Sequence, residues 1–328
     1  TVNFRGTLLT LLCLLLALCL LVSCNGETGG PAPGSGSDAA SGSGSGEEQN
    51  EPEPETVISI FADGAAGVSL VRASFVETST LNIISELREE LYNLSGTAFR
   101  IGTDDKEYDA DAYEIYIGEA SCPESDAILQ TLKYNDYSVA VSGNKIIIAA
   151  HNDTALQKAV NYFLYMGIVT DKSEDGTVTA IRFSSANQKE WADTYDVGNM
   201  SIAGNEIYQY RIVYPEAVGN SYDKGAAHSI AQAIGGQTGY YLEVVSDQTE
   251  ASPYEILVGN TNRSDTEGTV EPLHGSAHIE GDRLVLTTGG DFSVGLLGRN
   301  FFRMFPPDDD GNVIIAENAS VDCSFLTD

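Results

Sequence analysis

The chain is 328 residues long and carries 48 acidic against 17 basic side chains, a formal net charge of −31. A surface so rich in carboxylates repels phosphate backbones and anionic headgroups, because it offers few cations to release their counterions; a nucleic-acid role is excluded. The length allows two domains near the commonest size, each able to bury its own core.

The first element is a targeting segment, residues 1–23. Arg5 precedes an apolar run from Leu8 to Val22, short for a spanning helix and of the right length for a signal-peptide core. All 48 acids and all but one of the bases lie beyond it. The run ends in Leu21-Val22-Ser23-Cys24, which closely resembles a bacterial lipoprotein signal. That resemblance implies that Cys24 is acylated and becomes the mature N-terminus, so the chain is expected to sit outside the cytoplasm, anchored to the cell membrane by lipid; the plainer alternative is an ordinary signal with a chance cysteine. Several acyl chains, at about 0.8 kcal/mol per buried CH₂, make such an anchor stable. Cys13 and Cys19 leave with the signal. Cys122 and Cys323 remain, each without a cysteine at its counterpart position, either as one disulfide or as two idle thiols.

Residues 24–55 hold Gly-Ser repeats, including Ser41-Gly42-Ser43-Gly44-Ser45-Gly46, and end in Glu51-Pro52-Glu53-Pro54-Glu55. No apolar periodicity interrupts them, so they cannot build a core and read as a flexible tether with a reach of about 30 Å.

The rest of the chain is written twice. Tyr113-Glu114-Ile115-Tyr116-Ile117-Gly118 returns as Tyr254-Glu255-Ile256-Leu257-Val258-Gly259, and Gly143-Asn144-Lys145-Ile146-Ile147-Ile148 as Gly281-Asp282-Arg283-Leu284-Val285-Leu286. The copies lie about 140 residues apart, too long a period for a solenoid, so two tandem globular domains are expected. Their bounds are 56–186 and 199–328, with 187–198 as the inter-domain linker.

In the first domain, Val57–Ile60 and Val68–Val71 alternate as strands. Leu81, Ile84, Leu87, Leu91 and Leu94 recur at helical spacing, with Ser79 or Thr80 to cap the helix and Gly96 to end it. Strands follow at 113–117 and 137–141, with a Gly143-Asn144 turn into 145–149. Asn152 or Asp153 caps a second helix with the stripe Leu156, Val160, Phe163 and Leu164, closed by Gly167, and 178–183 is a last strand. The second domain repeats the order: a strand at 208–214, a helix at 226–234, a strand at 240–245, and a hairpin of 274–280 with 283–287 around Gly281-Asp282. Asp291 then caps a helix carrying Leu296, Leu297, Phe301 and Phe302, stopped by Pro306. The fold class is α+β: two duplicated domains, each a small mixed sheet with about two helices packed on one face.

This order of elements, and above all Tyr254-Glu255-Ile256-Leu257-Val258-Gly259-Asn260-Thr261-Asn262-Arg263, resembles the non-catalytic N-terminal domain of α-glucuronidases and β-hexosaminidase-type glycoside hydrolases. In that family the domain precedes a (β/α)8 barrel holding the catalytic carboxylates. Such a barrel needs about 250 residues, and none lies within these 328, so no catalytic residue is carried over. The resemblance implies a setting of carbohydrate handling.

Motifs for chemistry are sparse. Asp171-Lys172-Ser173-Glu174-Asp175-Gly176 begins like a calcium loop, but its twelfth position is Arg182 where a bidentate acid is needed. Asp308-Asp309-Asp310-Gly311 reads as a second copy of the same turn. His274 and His278 are four apart on a strand-like segment, a spacing that separates them by roughly 13 Å. No Gly-x-Ser-x-Gly elbow occurs, and Gly235-Gly236-Gln237-Thr238-Gly239 reads as a helix stop and turn rather than a phosphate loop. No metal, cofactor or catalytic residue is expected. The aromatic residues are more suggestive. Tyr208, Tyr210 and Tyr214 share one face if 208–214 is a strand, Tyr240 and Tyr241 lie on a nearby one, and Trp191 sits in the linker. These rings could stack on sugars while Asn260, Asn262 and Arg263 hydrogen-bond hydroxyls; alternatively the tyrosines pack under the helices and the Asn residues shape a turn.

A non-catalytic surface lipoprotein that binds carbohydrate or assists glycoside hydrolysis is therefore expected. The alternative is a structural or protein-interaction module whose partner is a cell-surface protein. Any site is expected where the copies differ: the 260–263 loop, the tyrosine strand, Cys122.

Overall fold

The computed structural model describes residues 54–216, 221–264, 270–290 and 294–326, and Glu53–Asp328 make one compact unit. Residues 1–23, expected to be a targeting segment, Cys24 and Asp291 lie outside the described residues. Among the described residues no helix is long and apolar enough to cross a membrane.

The first half contains, in order, β1 (Val57–Ala62), β2 (Ala65–Ala66), β3 (Ser69–Arg72), α1 (Thr78–Ser95), β4 (Ile101–Thr103), β5 (Glu114–Ile117), α2 (Pro123–Leu129), β6 (Tyr137–Ser142), β7 (Lys145–Ala150) and α3 (Asp153–Tyr162). A π-type turn over Phe163–Gly167 extends α3, and β8 (Val169–Lys172), β9 (Val178–Ser184) and β10 (Lys189–Trp191) complete the half. The second half contains β11 (Asn199–Ile202), β12 (Asn205–Glu206), β13 (Arg211–Tyr214), α4 (Ser221–Thr238), β14 (Val244–Ser246), β15 (Glu255–Val258), β16 (His274–Glu280), β17 (Arg283–Thr288), α5 (Leu297–Met304), β18 (Asn312–Ile315) and β19 (Ser320–Ser324).

Each half has a six-stranded sheet with the same topology. The order is β4-β3-β5-β7-β6-β10 in the first and β14-β13-β15-β17-β16-β19 in the second. Four strands of each are parallel; the fifth joins antiparallel through the hairpin around Gly143 or Gly281, and a strand from later in the chain, β10 or β19, adds antiparallel at the edge. The parallel strands are covered on both faces and so read as continuous apolar runs. In the first half one face carries Leu70, Ile115, Ile117, Ile146 and Ile148 into a core shared with Ile84, Leu87 and Leu91 of α1, Leu156 and Val160 of α3, and the second sheet. Each such side chain contributes about 1.5–3 kcal/mol when fully buried. The opposite face, Val71, Tyr116 and Ile147, is closed by Cys122, Leu132 and α2. Residues 189–191, read from the sequence as linker, pair with β6 and belong to the sheet.

Each half also has a smaller sheet, which the sequence reading of one sheet per domain did not include, and here the copies diverge. In the first half the order is β2-β1-β9-β8, with β9 antiparallel to β1. In the second it is β12-β11-β18, and β18 runs parallel to β11. One strand of a hairpin is missing, and a single strand takes its place. The turns at Ser173–Gly176 and Asp308–Gly311 are therefore not counterparts: the first joins β8 to β9, the second precedes β18. The calcium-like spacing reflects strand pairing, since Arg182 on β9 pairs with Asp171 on β8 at 2.8 Å.

Three local expectations are corrected. Glu77, not Ser79 or Thr80, stands at the N-cap of α1, and the Thr80 hydroxyl instead donates to Asp153 at 2.6 Å. Residues 208–214 are not one strand: Ile207–Gln209 form a 3₁₀ turn and only 211–214 extend, so Tyr208 is exposed and stands apart from Tyr210 and Tyr214, which pack with Ile212 on the same core. Likewise, Gly235 and Gly236 do not stop a helix but lie inside α4, which runs on to Thr238; Gly239, at φ 81°, terminates it. The caps at Asn152, which accepts from Ala155 N at 2.9 Å, and at Gly96 are as expected.

Candidate functional site

Gly235 explains how the halves join. A Cβ there would fall within 2.5–2.8 Å of the Tyr134 ring, so only glycine lets this ring of the first half lie against α4 of the second. Tyr134 N also donates to Gly239 O at 2.8 Å, and Asn135 N to the Tyr195 hydroxyl at 3.0 Å. Asp136 is buried and accepts from Asp193 N at 2.8 Å and from the Tyr195 hydroxyl at 2.9 Å. The junction is tied by ring packing and hydrogen bonds together.

Beside this junction lies a cleft of about 1060 Å³, at the upper end of the range for ligand sites, about 300–1,000 Å³. It sits at the carboxyl ends of the parallel strands β3, β5 and β7, where loops and helix starts in open α/β sheets place their ligand groups. The first half supplies the 72–77 loop, Glu119 after β5, His151 after β7 and Asp153 at the start of α3. The second half supplies α4, through Lys224, His228 and Gln232, and the 241–244 segment.

The 72–77 loop is held firmly. Ser74 donates its amide and hydroxyl to Asp104 Oδ1 at 2.8 and 2.6 Å, while Ser121 N donates to Oδ2 at 3.0 Å. Burial pushes the Asp104 carboxyl up, but the Ser74 hydroxyl and the Ser121 and Ser74 amides outweigh it and hold it below the ordinary range. One acid thus fixes both loops that border the cleft. Phe75, next to Ser74, is 96 % exposed. Nearly its whole ring is open to contact from outside the chain.

His151 lies deeper. Its Nδ1 is 3.0 Å from Glu119 Oε1 and its Nε2 is 3.0 Å from Leu129 O. Its ring stacks on Tyr241 of the second half, centroids 4.8 Å apart and planes 15° apart, and Tyr241 is also parallel to Tyr134 at 6.2 Å. Both imidazole nitrogens are engaged, so the ring orients Glu119 and Tyr241 and has no free nitrogen with which to take a substrate proton. Glu119 is the exposed partner. His228 on α4 is held below the ordinary imidazole range by burial and by Lys224, opposed by Glu77.

The residues singled out from the sequence are not brought together. Tyr208 is exposed and packs on Tyr240 at 5.8 Å. Tyr210 is buried, its hydroxyl within 2.8 and 2.7 Å of the carbonyls of Ile202 and Asp282. Trp191 stacks on Tyr137 at 5.6 Å, with Lys158 Nζ 4.6 Å above it. Asn260 is exposed, and Asn262 donates through its amide and side chain to Asp247 at 3.0 and 3.2 Å. Arg263 is buried against Glu255. None of the six lines the cleft. Yet 260–263 is the second half's counterpart of 119–122, which does reach it. Cys122 and Cys323 are both free thiols. Cys122 caps α2, its Sγ accepting from Ser125 N at 3.4 Å, and burial pushes it up to about 11.

Among the described residues, no group of three or more His, Cys, Asp or Glu is placed to hold a metal ion.

No family model and no curated protein matches the chain. Solved structures with partial likeness are glycoside hydrolases. They include a GH20 exo-β-N-acetylglucosaminidase from Vibrio harveyi in complex with N-acetylglucosamine (14 % identity, 63 % of this chain, 26 % of that one, TM-score 0.27). A Streptomyces plicatus β-hexosaminidase mutant in complex with GlcNAc (10 %, 62 %, 33 %, 0.24) and the protein CpGH84D (11 %, 65 %, 30 %, 0.26) are others. The chain spans about a quarter to a third of the length of these structures. No functional residue is transferred from them.

Proposed function

We propose that this chain is a carbohydrate-binding, non-catalytic lipoprotein, held outside the cytoplasm through acylated Cys24 and accessory to glycoside hydrolysis, with its ligand in the cleft between the halves. The observation that carries the reading is Phe75. A fully exposed phenyl ring, on a loop pinned by Asp104, stands at the mouth of a large cleft lined by both polar and apolar groups. Sugars present a C–H face that packs on such a ring and a rim of hydroxyls that suits Glu119, Asn135, Gln232 and the Tyr241 hydroxyl. The non-catalytic part rests on His151, whose two nitrogens are both engaged, and on Cys122, whose thiol is buried in a helix cap. The anchor rests on the resemblance of Leu21-Val22-Ser23-Cys24 to a lipoprotein signal and on the Gly/Ser-rich stretch that follows it.

Calorimetric titration of the purified chain with neutral, acidic and amino oligosaccharides tests the binding. Saturable binding to at least one class, weakened about tenfold or more by Phe75→Ala, is expected from the loss of a stacking platform; silence across all classes overturns the reading. Palmitate labelling of expressing cells, abolished by Cys24→Ser, tests the anchor, and label retained in that variant overturns it.

A further inference from the structure

We infer that the ligand is a linear glycan several sugar units long, which lies partly in the cleft and partly in a second groove along the outer face of α1. The inference rests on the reading of the cleft as a carbohydrate site and adds a subsite and the length class of the ligand.

The second groove has a volume of about 440 Å³ and is lined by Ser85, Arg88, Glu89, Tyr92, Ala98 and Phe99. Phe99 is buried and closes it from within, while Tyr92 is half exposed. The helix sets this groove in line with the cleft. Ile84, Leu87 and Leu91 turn one face of α1 into the core, so the opposite stripe falls at Leu81, Ser85, Arg88 and Tyr92, the spacing of one helix face. All four are exposed. Leu81 lines the cleft, and the other three line the groove. One turn separates Leu81 from Ser85, whose hydroxyl donates to the Leu81 carbonyl at 2.7 Å. The two cavities therefore adjoin on a single element. From Leu81 to Tyr92 the helix rises about 16 Å, a span of several pyranose rings.

An exposed ring stands at each end of this path. Phe75 lies two residues before the Glu77 N-cap, and Tyr92 lies in the last turn, where its carbonyl accepts from the Gly96 amide at 2.7 Å. Neither ring has an aromatic or cationic partner among the described residues. Among the same residues, the side chains of Arg88, Glu89 and Tyr92 have no hydrogen-bond partner. One cation and one anion leave the groove without net charge, which suits hydroxyls. A linear glycan repeats an apolar C–H face and a rim of hydroxyls along its length, so one chain meets Phe75 at one end and Tyr92 at the other. A compact ligand fills the cleft alone and leaves the groove unused. Once one end of the glycan is bound, the second contact is intramolecular, and the combined affinity exceeds that of either subsite.

The purified chain is titrated with di-, tetra- and hexasaccharides cut from cellulose, chitin, xylan and polygalacturonic acid. In the series that binds, the hexasaccharide is expected to bind at least about tenfold more tightly than the disaccharide. Tyr92→Ala should weaken the hexasaccharide about three- to tenfold, the worth of one ring contact, and Tyr92→Phe should restore it. Tyr165→Ala, at an exposed tyrosine that lines neither cavity, should leave it unchanged. Equal affinity for disaccharide and hexasaccharide confines the ligand to the cleft; it overturns the second subsite and leaves the carbohydrate reading standing. A Tyr92→Ala loss no larger than that of Tyr165→Ala overturns the subsite too. So does a loss equally large for the disaccharide, since the change then acts on the cleft. Absence of all saccharide binding removes both readings.

Discussion

Lys145 Nζ lies 3.1 Å from Glu114 Oε2 in the first half, and at the corresponding place in the second Arg283 Nε lies 3.5 Å from Glu255 Oε2. These four residues fill the two positions that are charged in both copies of the repeated motifs. They stand on adjacent parallel strands, β5 with β7 and β15 with β17. Both pairs are deep: Lys145 and Glu255 are fully buried. Lys145 also donates to the carbonyls of Asp109 and Ala112 at 2.5 and 2.6 Å, so its three protons all have acceptors. In the second half Arg211 and Arg263 join Arg283 around Glu255. The motif is thus an internal tie between strands and the loops before them, and it carries no reactive group.

A buried pair is costly to break and cheap to replace whole. Glu114→Gln should destabilise the chain by about 3–5 kcal/mol, because Lys145 then stays charged in the interior without its counter-ion. The double change Glu114→Leu with Lys145→Met should recover most of that loss. Urea denaturation followed by tryptophan fluorescence reads both, since Trp191 lies on the sheet that contains the pair. A double variant no better than the single one would show that the pair itself, not merely its completeness, stabilises the sheet.

Gly235 carries the second prediction. In a helix interior, glycine to alanine ordinarily gains up to about 1 kcal/mol. Here the new methyl would meet the Tyr134 ring, and Gly235→Ala should instead cost about 1–3 kcal/mol, the usual penalty of overpacking. In a Tyr134→Ala background the same change should turn neutral or stabilising, because the ring is gone. A double-mutant cycle by denaturation tests this change of sign; equal costs in the two backgrounds would mean that the contact does not constrain the junction.

The contrast between motif and junction shows what the sequence could disclose. Periodicity located β1, β3, β5 to β7, β9, β16 and β17, the helices α1 and α3 and the hairpin turns, but it missed the short outer strands and α2 and set 208–214 and 240–245 as strands longer than β13 and β14. It also located the loop after Gly259, whose counterpart after Gly118 brings Glu119 to the cleft. It could not show that α4 of one half would roof the strand ends of the other, since that contact depends on tertiary packing of Gly235 on Tyr134. Phe75 gave no signal, as a single aromatic in a short loop matches no template. His151 did leave a trace: its counterpart is Gly289, so it falls where the copies differ. The missing strand of the second half was hidden because Asp308–Gly311 mimics a turn that belongs elsewhere in the fold.

The third prediction concerns acid. Asp104 has a counterpart in Asp247, which accepts from Glu216 N at 3.1 Å and Asn262 N at 3.0 Å and so ties the same two loops of the second half. For Asp247 too, burial raises the carboxyl, while the Glu216 and Asn262 amides outweigh it and leave it below its ordinary value. A group whose folded pKa is depressed stabilises above its unfolded value, about 4, and loses that contribution as pH falls through the folded value. Both clamps should therefore be intact at neutral pH and fail only below about pH 4. Asp104→Asn should lower stability at pH 7 by about 1–3 kcal/mol, because the amide cannot accept in the same way from both loops. It should also flatten the fall of stability below about pH 4, since the variant has no proton to gain there. Thermal unfolding at a series of pH values reads both effects. In Asp104→Asn, glycan binding at pH 7 should fall together with stability, because Ser74 would no longer hold Phe75 at the cleft mouth. If binding were retained at full strength in the folded variant, the clamp would serve the sheet and not the site.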